Sequence, residues 1–158
     1  MSKPVPFLWF DDQAEEATSF YVSVFPNSKV VSTTRYGAAG PGPEGSVMTT
    51  QFQLDGQDFV ALNGGPIYKF TEAVSFTVSC ETQAEVDRFW DQLTAGGGQP
   101  GPCGWLKDKY GLSWQIVPTI LPKLLADKDA AKSERAMAAM MKMGKLEIDT
   151  LKRAYDGK

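Results

Sequence analysis

Gln115, Asn63, Cys103 and Lys107 are the side chains of this sequence best placed by type to do more than pack, and the complete lack of histidine narrows what they can do. Without an imidazole the commonest metal ligand and the commonest general base are both missing. A metal would need carboxylates, amides or thiolates, and acid–base chemistry would fall to Asp, Glu, Cys, Lys or Tyr at a displaced pKa. Cys103 lies in Pro102-Cys103-Gly104-Trp105, beside a small-residue bend from which its side chain could reach a cleft. A reactive thiol there would need a neighbouring cation such as Lys107, whereas a buried, inert cysteine is the commoner state. Cys80 ends an apolar run and reads as structural. Lys107 and Asp108 are adjacent on a strand and so point to opposite faces, which leaves Asp108 to cap the turn into Gly111. No nucleophile–base constellation is recognisable, so no catalytic residue is assigned.

Strand alternation sorts the remaining candidates. Ser113, Gln115 and Val117 share one face of their strand, with Leu112, Trp114 and Ile116 on the other. The same rule groups Phe7 with Trp9, and Phe59 and Ala61 with Asn63. The expected ligand-binding cleft is therefore lined by Phe7, Trp9, Phe59 and Asn63 from the first half. The second half adds Ser75, Cys103, Trp105, Lys107, Ser113 and Gln115. Trp9 is expected either as a stacking surface or as plain core. Asn63 and Gln115 are expected either to orient a ligand or to be satisfied structural amides.

The elements that must carry these residues are legible from periodicity. Val5 to Phe10 is a buried strand. Asp12 with Glu15 offers a capping box, and Ala17, Phe20, Tyr21, Val24 and Phe25 fall at helical spacing up to Pro26-Asn27. Lys29 to Tyr36 is a strand, and Gly37 to Ser46 is a connection that could act as a lid. Val47 to Leu54 and Gln57 to Asn63 are strands joined by Asp55-Gly56, a type I′ hairpin signal. The second half repeats this order. Ala73 to Cys80 is a strand, and Thr82 with Glu85 caps a helix bearing Val86, Phe89, Trp90 and Leu93, which ends at Gly96-Gly97-Gly98. Trp105 to Asp108 and Leu112 to Val117 are strands about a Lys109-Tyr110-Gly111 turn. Gln13-Ala14-Glu15 returns 70 residues later as Gln83-Ala84-Glu85, and Phe20-Tyr21 is echoed by Phe89-Trp90, so a whole supersecondary unit is duplicated.

After Pro118 the pattern turns helical. Ile120 to Ala126, Ala130 to Met143 and Glu147 to Tyr155 read as helices, with the methionines at 137, 140, 141 and 143 as core or dimer contacts. This tail is expected on the outside of the sheets or on a second subunit. The reading is thus one domain over 1–158, with modules at 4–66 and 70–118 and a helical extension at 119–158.

Composition sets outer bounds. The 158 residues are 42% hydrophobic and 22% charged, an ordinary globular make-up. A net charge of −3 leaves no basic footprint for nucleic acid. The start, Met1-Ser2-Lys3-Pro4, lacks a long apolar run, and no stretch approaches a membrane span, so neither a signal peptide nor an anchor is expected. Two cysteines make no disulfide framework, which points to a reduced, cytoplasmic setting.

Three stretches then carry a resemblance: Leu8-Trp9-Phe10-Asp11, Val60-Ala61-Leu62-Asn63-Gly64-Gly65 and, most specific, Gly104-Trp105-Leu106-Lys107-Asp108-Lys109-Tyr110-Gly111-Leu112-Ser113-Trp114-Gln115. With the duplicated unit, over residues 4 to 118, the chain resembles the PhnB-like branch of the vicinal oxygen chelate superfamily. That superfamily includes glyoxalase, extradiol dioxygenases, fosfomycin-resistance and bleomycin-binding proteins. Members of this branch are often labelled 3-demethylubiquinone 3-methyltransferase-like. The resemblance implies an α+β fold of paired βαβββ modules, an open cleft and a homodimer. It places the superfamily's metal-ligand positions near Val5, Asn63, Ala73 and Gln115. Two of these are aliphatic, and two neutral amides fall far short of the about six oxygens a divalent ion prefers, so no metal and no cofactor are expected. A methyl-transfer cofactor of nucleotide type would want a strand, a glycine-rich turn and a helix, and none of the glycine-rich stretches stands in that order.

Three readings follow. The leading one is metal-independent binding of a small molecule of unknown identity. A divalent-metal enzyme that uses Gln115, Asn63 and ligand oxygens is the alternative. A dimeric interaction module with a side-chain-filled cleft is the third.

Overall fold

The computed structural model describes residues 2–158. The chain forms two compact units that meet in sequence between Phe70 and Thr71. Each contains a βαβββ module, and the second also carries the helical tail.

In the first unit the elements are β1 (Phe7–Phe10), α1 (Ala14–Val24), β2 (Lys29–Arg35), β3 (Val47–Leu54) and β4 (Gln57–Asn63). The sheet order is β1-β4-β3-β2, with β1 parallel to β4 and the other pairs antiparallel. The hairpin between β3 and β4 turns on Asp55 and Gly56 at φ of 45° and 79°, the pair of positive values that a type I′ turn requires. Helix α1 buries Ala14, Ala17, Tyr21 and Val24. The Tyr21 ring stacks on Phe52 of β3, and Phe52 stacks on Phe59 of β4. Aromatic stacking thus joins helix to sheet.

The start of α1 departs from expectation. The Asp12–Glu15 capping box does not form; Gln13 is the N-cap and makes no side-chain cap bond. The Ala14 N–H instead donates to Asn63 Oδ1 at 2.7 Å. The parallel register pairs Phe10 with Asn63, which brings the end of β4 to the helix start and lets a residue 49 positions away do the local cap's work.

The second unit repeats the arrangement with β5 (Ser75–Cys80), α2 (Gln83–Thr94), β6 (Gln99–Pro100), β7 (Trp105–Lys107) and β8 (Ser113–Pro118), in the order β5-β8-β7-β6. Here the expected capping box is present: Thr82 accepts from the Glu85 N–H, and the Glu85 carboxylate accepts from the Thr82 N–H. Helix α2 buries Val86, Phe89, Trp90 and Leu93, on the side of the sheet that buries Leu106, Trp114 and Ile116. The two-residue β6 has no signal in the sequence, since glycines precede it and Pro100 lacks a backbone donor.

The tail comprises α3 (Ile120–Leu125), α4 (Ala130–Met140) and α5 (Ile148–Asp156). It has a core of its own in Leu121, Leu124, Ala136, Leu146 and Leu151. It packs within the second unit: Gln83 Oε1 accepts from the Ile148 N–H at 2.8 Å, while its Nε2 donates to the Leu146 carbonyl. The Cys103 and Gly104 N–H groups donate to the Met143 and Gly144 carbonyls. A Cβ at Gly104 would lie 2.9 Å from both the Ile116 carbonyl oxygen and Leu146 Cδ1, so the approach of tail to sheet depends on glycine there. Helix α4 stops at Met140 rather than Met143; Met140 and Met143 pack on the tail core, while Met137 and Met141 are exposed. Among the described residues no helix is long and apolar enough to cross a membrane.

Candidate functional site

In the first unit the four expected site residues do not share a surface. Register pairs Phe7 with Val60 and Trp9 with Leu62, so Phe7 and Trp9 look away from α1. Leu8, Phe10, Phe59 and Ala61 are buried on the helix side. Phe59 belongs to the stacked aromatic core and Asn63 to the helix cap, which corrects their placement beside Phe7 and Trp9. Strand alternation grouped residues properly within each strand, but which groups meet depends on register between strands.

Asn63 is a structural amide by its bonds. Its Oδ1 accepts from Ala14, its Nδ2 donates to the Val47 carbonyl at 3.1 Å, and its own carbonyl accepts from the Tyr36 hydroxyl. Trp9 is half-buried, donates Nε1–H to the Gly65 carbonyl at 2.8 Å and meets Tyr68 edge-on. A Cβ at Gly64 would fall 2.3 Å from the Trp9 ring, so the indole lies flat against bare backbone. Phe7 is 59% exposed. The expected lid, Gly37 to Ser46, is wound about the buried Tyr36 ring, with its ends joined by the Tyr36 N–H···Ser46 carbonyl and Gly45 N–H···Tyr36 carbonyl bonds.

The second unit does gather its candidates. Register pairs Ser75 with Ser113, Gln115 with Trp105 and Ser113 with Lys107. These five residues therefore share the sheet face opposite α2, and Cys103 stands in the loop that leads into β7. A hollow of about 400 Å³ opens there, walled by residues 99–103 with Trp105 and Lys107 and reaching Ser113. Ser113 is 1% exposed and its Oγ is without a hydrogen-bond partner among the described residues. Gln115 Nε2 donates to Ser75 Oγ at 2.9 Å, beside the hollow. Sequence reasoning missed Glu72, which pairs with Lys107 and with it lines the hollow; it precedes β5 in an irregular stretch where no periodicity marks it. The hydrogen bond from Lys107 holds the Glu72 carboxyl below the usual carboxylate range. Lys107 is thus engaged with a carboxylate, and the Cys103 sulfur lies 3.7 Å from Met141 Sδ. Asp108 takes the capping role expected of it: Oδ1 accepts from the Tyr110 and Leu112 N–H groups and Oδ2 from Trp114 Nε1–H.

The donor set does not fit the superfamily's metal. Val5 and Ala73 offer no donor atom, Asn63 spends its amide on backbone groups, and Gln115 alone supplies one neutral oxygen. Among the described residues no three His, Cys, Asp or Glu side chains converge. A nucleotide-type cofactor fits no better. The glycines of 37–45 join β2 to β3, Gly64-Gly65 lead toward β5, and Gly96-Gly97-Gly98 follow α2, so none opens a helix.

Comparison with known proteins agrees with this architecture. Residues 2–117 match the family model described as 3-demethylubiquinone-9 3-methyltransferase. A PhnB protein from Bacillus cereus is 38% identical, over 75% of this chain and all of that one, with a TM-score of 0.66. A protein from Pseudomonas aeruginosa is 20% identical, over 75% of this chain and 98% of its own, at a TM-score of 0.62. A fosfomycin resistance protein from Listeria monocytogenes shares the fold at 14% identity, over 78% and 97% of the two chains, at 0.55. No curated protein matches the sequence. The duplicated βαβββ topology and the family match over residues 2–117 together make this chain a member of the PhnB-like, 3-demethylubiquinone-9 3-methyltransferase family of the vicinal oxygen chelate superfamily.

Proposed function

We propose that this chain binds a small organic molecule without a metal, and that the guest rests on the open face of the second sheet, beside Trp105 and above Ser113. The observation that carries this reading is the buried Ser113 hydroxyl, without a partner among the described residues at a hollow of about 400 Å³. An unsatisfied buried hydroxyl costs about 1–3 kcal/mol, which a ligand atom bonded to it would offset. The hollow's size falls within the range of small-molecule sites, and it combines apolar walls with a few polar groups, as such sites do. The hydroxyls of Thr18 and Thr50, also without a partner among the described residues, differ, since α1 and the α1-facing side of β3 hold them inside helix–sheet packing.

The test is a thermal-shift screen of small aromatic compounds on protein dialysed against a chelator, with metal analysis of the starting material. A ligand that binds the folded state raises the midpoint in a concentration-dependent way. Stabilisation should survive chelation and shrink in Ser113→Ala and Gln115→Leu, both of which should fold. Stabilisation that vanishes on chelation and returns with one equivalent of a divalent ion would overturn this reading in favour of a metal-dependent enzyme.

A further inference from the structure

We infer that the Glu72–Lys107 pair is a charge filter, so that the hollow takes a flat, uncharged, hydrogen-bonding molecule in preference to its anionic or cationic analogues. The inference rests on the binding reading above and adds the class of ligand. Among the described residues, Glu72 and Lys107 are the only charged ones that line the hollow, and they are bonded to one another. The other walls are neutral: Pro100, Pro102, Cys103 and Trp105 are apolar or weakly polar, and Gln99 and Ser113 carry no charge. An anionic guest would have to take Lys107 from a carboxylate already seated on it, and a cationic guest would have to take Glu72 from the ammonium. Either must also leave water for a site with no net countercharge. An uncharged guest faces neither demand. It can lay a ring along Trp105 and give Ser113 Oγ the partner it lacks. The Lys107 hydrogen bond, first among the causes that lower the Glu72 pKa, keeps that carboxylate ionised across the neutral range.

The pair is partly exposed, with side-chain accessibilities of 60% for Glu72 and 38% for Lys107. Either partner can therefore be replaced without opening the core. The probes are benzamide, benzoate and protonated benzylamine, three monosubstituted benzenes of similar size that differ in charge. They are titrated into wild type and Glu72→Gln, with binding read from backbone amide shifts of residues 99–115. In wild type, benzamide binds more tightly than either charged probe. In Glu72→Gln the freed Lys107 raises the benzoate-to-benzamide affinity ratio by about three- to fivefold, the size expected of a part-exposed charge pair. Benzoate or benzylamine binding wild type as tightly as benzamide would overturn the filter while leaving the binding site in place, and so would an unchanged ratio in Glu72→Gln. If all three probes leave residues 99–115 unperturbed at saturating concentration, the site reading falls and the filter with it.

Discussion

Asn63 Oδ1 accepts the Ala14 N–H at 2.7 Å, so the last residue of β4 caps the first turn of α1. Its Nδ2–H donates to the Val47 carbonyl, and the one side chain therefore ties helix, β3 and β4 together. Asn63→Ala should lower unfolding free energy by about 2 kcal/mol, the sum expected for a lost cap and a lost amide bond. Urea unfolding measures it, and an unchanged midpoint would remove Asn63 from this role.

Gly64 is a steric requirement of Trp9. A methyl group there would lie 2.3 Å from the indole carbons, so Gly64→Ala must push the ring off the backbone and break its bond to the Gly65 carbonyl. Overpacking of this kind costs about 1–3 kcal/mol. A lower thermal midpoint with an altered tryptophan emission spectrum is the expected result.

Much of the fold could be read from residue order because its signals are local. The Asp55-Gly56 turn, the Thr82–Glu85 box and the Val86, Phe89, Trp90, Leu93 stripe each lie within one element, and each stands as expected. What could not be read depends on partners distant in sequence. Asn63 replaces Asp12 as the cap because register sets Phe10 beside it, and Gln83 caps α5 from 65 residues away. The same holds at the site. Alternation puts Ser113 and Gln115 on one face, and register then adds Ser75, Trp105 and Lys107. It also separates Phe59 from Phe7, which alternation alone cannot do. Glu72 acquires meaning only through Lys107, 35 positions on.

The two thiols should behave differently. Cys80 is fully buried, and burial pushes its pKa up to about 11, whereas Cys103 is half-buried in a loop. At pH 8 a thiol-alkylating reagent should modify Cys103 in the folded protein and reach Cys80 only after denaturation, because the thiolate is the reacting form. Peptide mapping by mass spectrometry distinguishes the two. Cys80 labelling at the Cys103 rate would contradict the packing described.

Lys145 ties the chain ahead of α5 to α2 through Asp87, at 2.7 Å from Nζ to Oδ1. Their hydrogen bond is the first cause of both shifts, lowering Asp87 and raising Lys145. The Asp87 contribution is present above the ordinary carboxylate value of about 3.9 and is lost as pH falls through its lowered pKa. The Lys145 contribution is present below about 10.4 and is lost as pH rises through its raised pKa. Both groups are solvent-accessible, so Lys145→Met should cost only about 0.2–1 kcal/mol at pH 7. That difference from wild type should close in acid. A difference that persists at a pH well below both carboxylate values would show that the lysine acts by packing instead.

Metal-free binding at the second sheet would be seen first at the Trp105 indole N–H. The protein has four tryptophans, Trp9, Trp90, Trp105 and Trp114, and their indole signals are resolvable by nuclear magnetic resonance. In chelator-dialysed protein titrated with benzamide, the Trp105 indole signal should shift saturably while Trp90 and Trp114, buried on the α2 side, stay in place. The shift should weaken in Ser113→Ala. A Trp105 signal that moves only when a divalent cation is added, or that never moves while others do, would contradict it.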